Sequence, residues 1–245
     1  MTMPTAQQPN DLDVAPRLRR LLDETCVVIP AYNEGRVLQG VIETVCKAFP
    51  HVIVVNDGSS DDTAQVLRKL PVTVATHHIN LGQGAALQTG ITAALERGAR
   101  YIVTFDADGQ HRPEDAHAGL QMLADADCDA VCGSRFLGMS SNIPPVRRLV
   151  LKAAVVFTNL TTGTRLTDAH NGLRVLNRKA AMCLAISQSG MAHASEIIGQ
   201  LSRHRMVVRE VPVKINYTEY SLAKGQSSLN FVSILVDLVI GRFLK

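Results

Sequence analysis

Aromatic residues and cysteines are scarce in this chain, and both shortages argue against whole classes of protein. Tryptophan is absent and the aromatic fraction is 4%. No basic run is interleaved with aromatic residues, and the formal net charge of +3 is mild, so the composition does not favour nucleic-acid binding. The cysteines are odd in number and never form a CxxC pair, which argues against a zinc site or a disulfide framework. They are Cys26, Cys46, Cys128, Cys132 and Cys183.

Long apolar runs are missing as well. No stretch of about 20 apolar residues could span a bilayer, and the polar amino terminus lacks the apolar centre of a secretory signal. We therefore expect a cytoplasmic protein with reduced thiols. An apolar content of 46% and a charged content of 19% are globular values, and 245 residues suffice for one sizeable α/β domain or two small ones.

Short apolar, β-branched runs alternate with segments of helical spacing, which predicts an α/β fold with a mostly parallel sheet flanked by helices. The predicted strands are 26–30, 52–55, 71–75, 101–105, 129–133 and 207–215. We expect a mobile tail over residues 1–24, the α/β domain over residues 25–228, and a strongly apolar helix over residues 229–245.

Polar residues follow four of these strands, at 30–34, 56–60, 106–111 and 133–135. Ligands bind at the carboxyl ends of the strands in open parallel sheets, so these segments predict the site. The strand at 101–105 ends in Asp106 and Asp108, whose carboxylates can turn toward one point. Hard oxygen ligands of this kind suit Mg²⁺ or Mn²⁺. The alternative is an ordinary acidic turn at Gly109.

Two further strand-end residues have both a functional and a structural interpretation. The Asp57 carboxylate could accept hydrogen bonds from a base or ribose, or it could belong to a helix-entry turn. Arg135 could neutralise a pyrophosphate, although a lone arginine is usually a surface residue. Familiar motifs are absent: the Gly82-Gln83-Gly84 segment has Leu87 where a dinucleotide fingerprint needs its third glycine, and no P-loop or GxSxG elbow occurs.

Six short motifs, in this order, resemble glycosyltransferase family 2, which has the GT-A fold, and most resemble its dolichyl- or polyprenyl-phosphate sugar synthases. The resemblance covers roughly residues 26–228. The motifs are Pro30-Ala-Tyr-Asn-Glu34, Asn56-Asp-Gly-Ser-Ser60, Asn80-Leu-Gly-Gln-Gly84, Asp106-Ala-Asp-Gly-Gln-His111, Gly133-Ser-Arg-Phe136 and Asp168-Ala-His-Asn-Gly-Leu-Arg174.

The resemblance implies an inverting enzyme with a nucleotide-sugar donor, a divalent metal (Mg²⁺ or Mn²⁺) and a role in cell-envelope glycan synthesis. It assigns donor binding to the first three motifs, metal binding to the fourth, and phosphate or acceptor contacts to the later basic residues. The donor set is Pro30, Tyr32, Glu34, Asp57, Gly82, Gly84 and Asp106; the metal set is Asp106, Asp108 and Gln110; the catalytic set is Asp108, Arg135, Asp168 and Glu196; the acceptor set is Arg147, Arg148, Arg174 and Lys224.

The acceptor stays open between two chemistries. A lipid phosphate is already an anion and needs little base catalysis, whereas a saccharide hydroxyl, as in O-antigen or polysaccharide assembly, needs a carboxylate base. Asp168 and Glu196 are the candidates, with a turn cap and a solvated helix face as their structural alternatives. Relatives usually carry an Arg before a late Gly-x-Ser-Lys segment; here Ser228 stands at the usual Lys, and Lys224 is the expected phosphate contact.

The apolar segment 229–245 could lie on a membrane interface, contact a membrane partner protein, or pack in the domain or a homodimer. We expect an enzyme peripheral to the inner face of the membrane. Two alternatives remain. One is a sugar-phosphate nucleotidyltransferase, which would need a glycine-rich basic loop after the first strand. The other is a non-catalytic sugar-nucleotide-binding module.

Overall fold

The computed structural model describes residues 11–138, 145–190 and 192–216, and its strands follow the predicted apolar runs closely. The strands are β1 (Thr25–Ala31), β2 (Val52–Asp57), β3 (Thr73–His77), β4 (Tyr101–Thr104), β5 (Ala130–Ser134), β6 (Arg174–Asn177) and β7 (Val208–Pro212). The helices are α1 (Asp11–Asp23), α2 (Gly35–Ala48), α3 (Thr63–Leu67), α4 (Gln83–Glu96), α5 (Pro113–Asp125), α6 (Pro145–Thr162), α7 (Arg178–Met182) and α8 (His193–Arg203).

Within the described residues these strands form one sheet in the order β3-β2-β1-β4-β6-β5-β7. The first four strands are mutually parallel, and β7 is parallel to β5. Strand β6 is antiparallel to both of its neighbours, β4 and β5. The predicted α/β fold with a mostly parallel sheet is confirmed, and the α helices cover both faces of the sheet.

The apolar run of β1 explains why the sheet sits at the centre. All of its residues are buried, and alternate side chains enter opposite cores because successive residues of a strand point to opposite faces. Val27 packs in the core that contains Leu38 of α2. Val28 packs in the other core, which contains Ile91 of α4. A strand buried on both faces reads as a continuous apolar run, as the sequence predicted.

Four features differ from the sequence expectations or lie beyond them. We expected a mobile tail over residues 1–24, but the structure folds its second half into α1, because Leu21 and Leu22 can pack against the core. The short helix α7 and the antiparallel direction of β6 were not predicted. The apolar segment 229–245 lies outside the described residues. Among the residues that are described, no helix has the length and apolar character needed to cross a bilayer.

Close packing of α4 on β1 generates a stability prediction. A methyl group added at Gly90 would lie 2.2 Å from Val28 Cγ1, a buried strand side chain. We expect Gly90→Ala to destabilise the fold by about 1–3 kcal/mol, because overpacking forces the helix away from the sheet. Urea denaturation followed by circular dichroism measures the change.

The matched control is Gly40→Ala in the exposed face of α2, where an added methyl group would meet no atom within 4 Å. This change should stabilise by up to about 1 kcal/mol through helix propensity. Equal unfolding free energies for the two variants would contradict the packing of α4.

Candidate active site

The loops after β1 and β2 are tied together by side-chain hydrogen bonds. Asn33, in the left-handed region at φ 53°, donates its backbone N–H to Ser59 Oγ at 3.0 Å and accepts from the Ser60 N–H at 2.9 Å. The Glu34 N–H donates to Thr63 Oγ1 at 3.0 Å. The two loops therefore form one wall of the carboxyl edge of the sheet.

Three residues that we expect to bind the nucleotide-sugar donor lie in or beside this wall. Pro30 is buried within β1. Tyr32 exposes 42% of its surface, and Glu34 exposes 8%. An exposed ring beside a nearly buried carboxylate is an arrangement that can stack on and hydrogen-bond to a nucleoside.

Asp57 is buried at the end of β2, where its carboxylate contacts both β3 and the turn before α4. Its Oδ1 accepts from the Leu81 N–H at 2.9 Å and lies 2.7 Å from His77 Nδ1, while its Oδ2 accepts from the Gly82 N–H at 2.8 Å. His77 Nε2 in turn lies 2.9 Å from Thr89 Oγ1. The carboxylate thus fixes the turn that starts α4. His77 is the last residue of β3, and its ring is held by the Asp57 carboxylate.

Asp106 lies where three elements meet. Its Oδ1 accepts from Gln83 Nε2 at 3.1 Å, and its Oδ2 lies 2.9 Å from His111 Nε2. A methyl group at Gly172 would lie 1.9 Å from Oδ2, so this position must be glycine for the carboxylate to fit. Burial opposes ionisation, but the His111 hydrogen bond and the charges of His111, Arg174 and His193 lower the pKa of Asp106. The carboxylate is held ionised.

Asp108 and Gln110 belong to the turn that follows Asp106. The Gln110 N–H donates to Asp108 Oδ1 at 3.0 Å, and the Gln110 carbonyl accepts from the Asn216 N–H at 3.0 Å. Burial, together with the negative charges of Asp106 and Glu34, raises the pKa of Asp108 to about 6. Negative charge is therefore crowded at this edge of the sheet.

The crowded carboxylates fit a divalent cation. No group of three or more His, Cys, Asp or Glu side chains arranged for a metal occurs in the described part of the chain. Mg²⁺ and Mn²⁺ do not need such a cage, because they bind one or two carboxylates and complete their shell with water and phosphate. Asp106 and Asp108 supply two carboxylates, and the raised pKa of Asp108 marks a charge that a cation would neutralise.

Arg135, directly after β5, and Asp168, in the segment before β6, form a buried ion pair on the side of β4 away from β1. Arg135 Nε donates to Asp168 Oδ2 at 2.6 Å, with side-chain exposures of 10% and 0%. Arg135 Nη2 also donates to the His170 carbonyl, and the His170 N–H donates to Asp168 Oδ1. Glu210 Oε1 accepts from the Asp168 N–H at 3.0 Å. Asp168 therefore fixes Arg135, and its carboxylate is occupied rather than placed as an accessible base.

Arg174 differs from its expected place on the acceptor side. It is buried at the start of β6 with 1% exposure. Nη2 donates to the Ala169 carbonyl at 3.4 Å, and Nε and Nη1 have no hydrogen-bond partner among the described residues. Its positive charge contributes to the lowered pKa of Asp106. In this arrangement the guanidinium acts electrostatically on Asp106, and its predicted contact with the acceptor stays a prediction.

Glu196 is also occupied. Its carboxylate accepts from the Ser187 N–H, the Ser187 hydroxyl and the Gln188 N–H at 3.0, 2.6 and 2.8 Å. Segment 187–189 packs its backbone on the start of α4: methyl groups at Gly82 and Gly84 would lie 2.4 Å from Ser189 O and 1.9 Å from Gln188 O. Both glycines thus allow close approach of this segment. Glu196 therefore holds segment 187–189 against the start of α4.

The remaining acceptor candidates divide between described and undescribed parts. Arg148 is exposed on α6. Arg147 lies on the same helix, but its side chain is outside the described set, and Lys224 is outside the described residues altogether. Sequence reasoning missed His77, Gln83, His111, Gly172 and Glu210 as parts of the site. Gln83, His111 and Gly172 lie within quoted motifs, so the motifs were the available signal for them.

Comparison with known proteins gives a family match. Residues 26–185 match the family model Glycosyl transferase family 2. The chain is 31% identical over 236 residues to UDP-N-acetylglucosamine–dolichyl-phosphate N-acetylglucosaminyltransferase of Methanococcus voltae, covering 87% of this chain and 94% of that protein. It is 31% identical over 226 residues to polyprenol monophosphomannose synthase of Mycolicibacterium smegmatis, covering 87% and 85% of the two chains.

Solved structures confirm the fold. Glucosyl-3-phosphoglycerate synthase of Mycobacterium tuberculosis, in complex with Mn²⁺ and uridine-diphosphate-glucose, superposes with a TM-score of 0.70 at 17% identity. The match covers 92% of this chain and 82% of that one. The related enzyme therefore shares the GT-A architecture, with its central sheet and flanking helices.

Burial of His170 generates a pH prediction. Burial, opposed by Asp168 and reinforced by the charges of Arg174, Arg135 and His193, lowers the pKa of His170 to about 4. Between pH 6.5 and 4 the unfolded chain binds a proton there and the folded chain does not, so stability falls as pH falls through this window. The loss from this residue amounts to as much as about 3 kcal/mol.

His170→Gln removes the titration and keeps an amide near Ser195 Oγ, which lies 3.3 Å from His170 Nε2. Urea denaturation of both proteins at several pH values between 6.5 and 4 should show a shallower loss in the variant. An identical pH dependence would contradict a buried neutral imidazole.

Proposed function

Because the chain belongs to glycosyltransferase family 2, we propose that it transfers a sugar from a nucleotide-sugar donor to a polyprenyl phosphate, dolichyl or undecaprenyl, in cell-envelope glycan synthesis. One observation supports this acceptor above a saccharide. Both carboxylates that could have served as a base for a hydroxyl, Asp168 and Glu196, are occupied by internal hydrogen bonds. A phosphate acceptor needs no such base.

The donor is proposed to lie along the first half of the carboxyl edge. Tyr32 and Glu34 would face the base and ribose beside Pro30. Asp57 would contribute through the turn that it fixes at Leu81 and Gly82. Gly82 and Gly84 would shape the same region by admitting segment 187–189.

Asp106, Asp108 and Gln110 are proposed to hold Mg²⁺ or Mn²⁺ against the diphosphate. When bound, that ion supplies charge stabilisation for the leaving nucleoside diphosphate. The chain's own contribution is to keep Asp106 ionised through His111 and Arg174, and to hold the turn of Asp108 by the Gln110 N–H. These groups are fixed before the substrate arrives, so no reorganisation is needed during the reaction.

Arg135 is proposed to neutralise phosphate on the acceptor side, and Asp168 to position it. The guanidinium is held by Nε and Nη2 hydrogen bonds, which leave the Nη1 face for an anion. An acceptor phosphate oxygen attacks the anomeric carbon from the face opposite the diphosphate. The new bond joins that carbon to the phosphate oxygen, and the leaving nucleoside diphosphate takes the electron pair of the broken bond. Arg147 or Arg148, and Lys224, are proposed to add phosphate contacts.

The test is a transfer assay with purified protein, Mn²⁺ or Mg²⁺, UDP- and GDP-sugars and a short, water-soluble polyprenyl phosphate, with products identified by mass spectrometry. We expect a sugar-phosphoryl-lipid product. Asp108→Asn should reduce turnover by about 100-fold or more, because it removes one of the two carboxylates that would hold the cation. Asp127→Asn, at an exposed position in the turn before β5, is the matched control and should leave turnover unchanged.

Three results would overturn parts of this proposal. Transfer to a saccharide with no lipid product would show that the acceptor is a saccharide, and a general base for its hydroxyl would then be required. A rise in melting temperature with metal and nucleoside diphosphate, without turnover of any donor, would favour a binding module. Full activity of Asp108→Asn would remove Asp108 from the catalytic set.

A further inference from the structure

Glu210 lies on β7, outside every motif that predicted the site, yet its carboxylate contacts the segment that holds Arg135. Its Oε1 accepts from the Asp168 N–H at 3.0 Å and from the Thr167 hydroxyl at 2.9 Å, and both of its oxygens accept from the Thr167 N–H, at 2.9 and 2.8 Å. No basic side chain forms an ion pair with Glu210 in the part of the chain that the structure describes. The carboxylate therefore orients backbone and hydroxyl donors rather than neutralising a cation.

The first branch of these contacts leads to the side chain of Arg135. Glu210 holds the Asp168 N–H. The Asp168 carboxylate, which is completely buried, accepts from Arg135 Nε at 2.6 Å and from the Arg135 N–H at 3.2 Å. Asp168 is thus held at its backbone by one carboxylate and holds the arginine with its own. A change at Glu210 would release the Asp168 backbone, and with it the carboxylate that orients the guanidinium.

The second branch reaches the backbone on either side of Arg135. Thr167 Oγ1 lies 2.6 Å from Ser134 Oγ, and Ser134 Oγ accepts from the Phe136 N–H at 3.2 Å. A carboxylate can only accept, so the Thr167 hydroxyl donates to Glu210. The Ser134 hydroxyl must then donate to Thr167, because the Thr167 proton is already used. Glu210 therefore sets the direction of every hydrogen bond in this branch.

The two branches meet around Arg135, where β5 ends. Strands β5 and β7 are parallel neighbours, and Cys132 pairs with Glu210 in their register. The strands stay together to the end of β5, because the Val213 N–H donates to the Ser134 carbonyl at 3.0 Å. Glu210 is therefore anchored on a regular strand beside the segment that it holds. Side chains on such strands are placed more precisely than side chains on loops.

We propose that Glu210 is a positioning residue for the transfer reaction. Through Asp168 it orients the Arg135 guanidinium. Through Thr167 and Ser134 it fixes the turn from which that guanidinium extends. The proposal rests on the proposed function, because the anion that Arg135 meets is taken to be the acceptor phosphate. The alternative is that Glu210 only stabilises the sheet, in which case its loss would lower stability without a selective effect on phosphate binding.

The first measurement needs no substrate. In the full-length chain labelled with ¹⁵N-arginine, the Arg135 Nε–H signal, identified by its absence in Arg135→Lys, reports the hydrogen bond to Asp168. We expect Glu210→Ala to speed the exchange of this proton with water by about 10-fold or more, because a hydrogen bond to a charged group is worth at least that factor. Glu210→Gln keeps one carbonyl oxygen for the Asp168 N–H and should give an intermediate rate. An unchanged exchange rate in both variants would overturn the proposal.

Calorimetry separates positioning from general stabilisation. The two probes are citronellyl phosphate, a short water-soluble prenyl phosphate, and UDP with Mn²⁺. Glu210→Ala should weaken binding of the prenyl phosphate by about 10-fold or more and change the UDP affinity by less than about twofold, because the proposed donor residues lie beside β1 and β2, away from β7. Equal weakening of both affinities, or of neither, would show a purely structural role. If the parent chain binds no prenyl phosphate, the proposed acceptor is wrong, and the exchange rate of the Arg135 proton still decides whether Glu210 positions that side chain.

Two further variants test the route and the specificity of the effect. Arg209→Gln changes an exposed residue of the same strand and should match the parent chain in the exchange rate and in both affinities. The double variant Glu210→Ala, Asp168→Asn should lose clearly less phosphate affinity than the product of the two single losses, because the two residues act in series. A loss equal to that product would contradict the route through Asp168.

Discussion

The Asp106 carboxylate is the contact on which the site depends. Helix α4 reaches it through Gln83, the turn after β4 reaches it through His111, and the segment before β6 approaches it at Gly172. Arg174 adds a buried positive charge. A carboxylate that is mostly withdrawn from water is costly unless it is hydrogen-bonded and its charge is balanced. The surrounding elements supply both, and in doing so they fix where the neighbouring Asp108 can lie.

Carboxylates at this edge of the sheet serve two purposes, and their partners distinguish them. Asp57, Asp168 and Glu196 accept backbone N–H groups and fasten the loops around the site. Burial and the negative charges of Asp106 and Glu34 raise the pKa of Asp108, and a bound cation would favour the ionised form of such a carboxylate. A carboxylate that is hydrogen-bonded to loop N–H groups is a poor general base. The occupied carboxylates therefore favour an acceptor that is already an anion and needs no base.

The sequence could predict the sheet and the edge where the site lies, because apolar runs and the polar residues after them are local signals. It could not predict partners brought together from distant segments. Asp168 and Glu196 looked like candidate bases until Arg135 and the Ser187 segment were placed beside them. Arg174 looked like an acceptor contact, but the antiparallel pairing of β6 buries it. His77 gave no local sign that Asp57 would hold it.

Mn²⁺ binding in the presence of UDP, followed by electron paramagnetic resonance for the parent chain and Gly172→Ala, tests the metal site most directly. An added methyl group 1.9 Å from Asp106 Oδ2 must displace that carboxylate. We expect tight, UDP-dependent binding by the parent and by Gly40→Ala, and at least about a 10-fold weaker affinity for Gly172→Ala while its thermal unfolding stays cooperative. Equal affinities in all three proteins would contradict a metal site organised around Asp106.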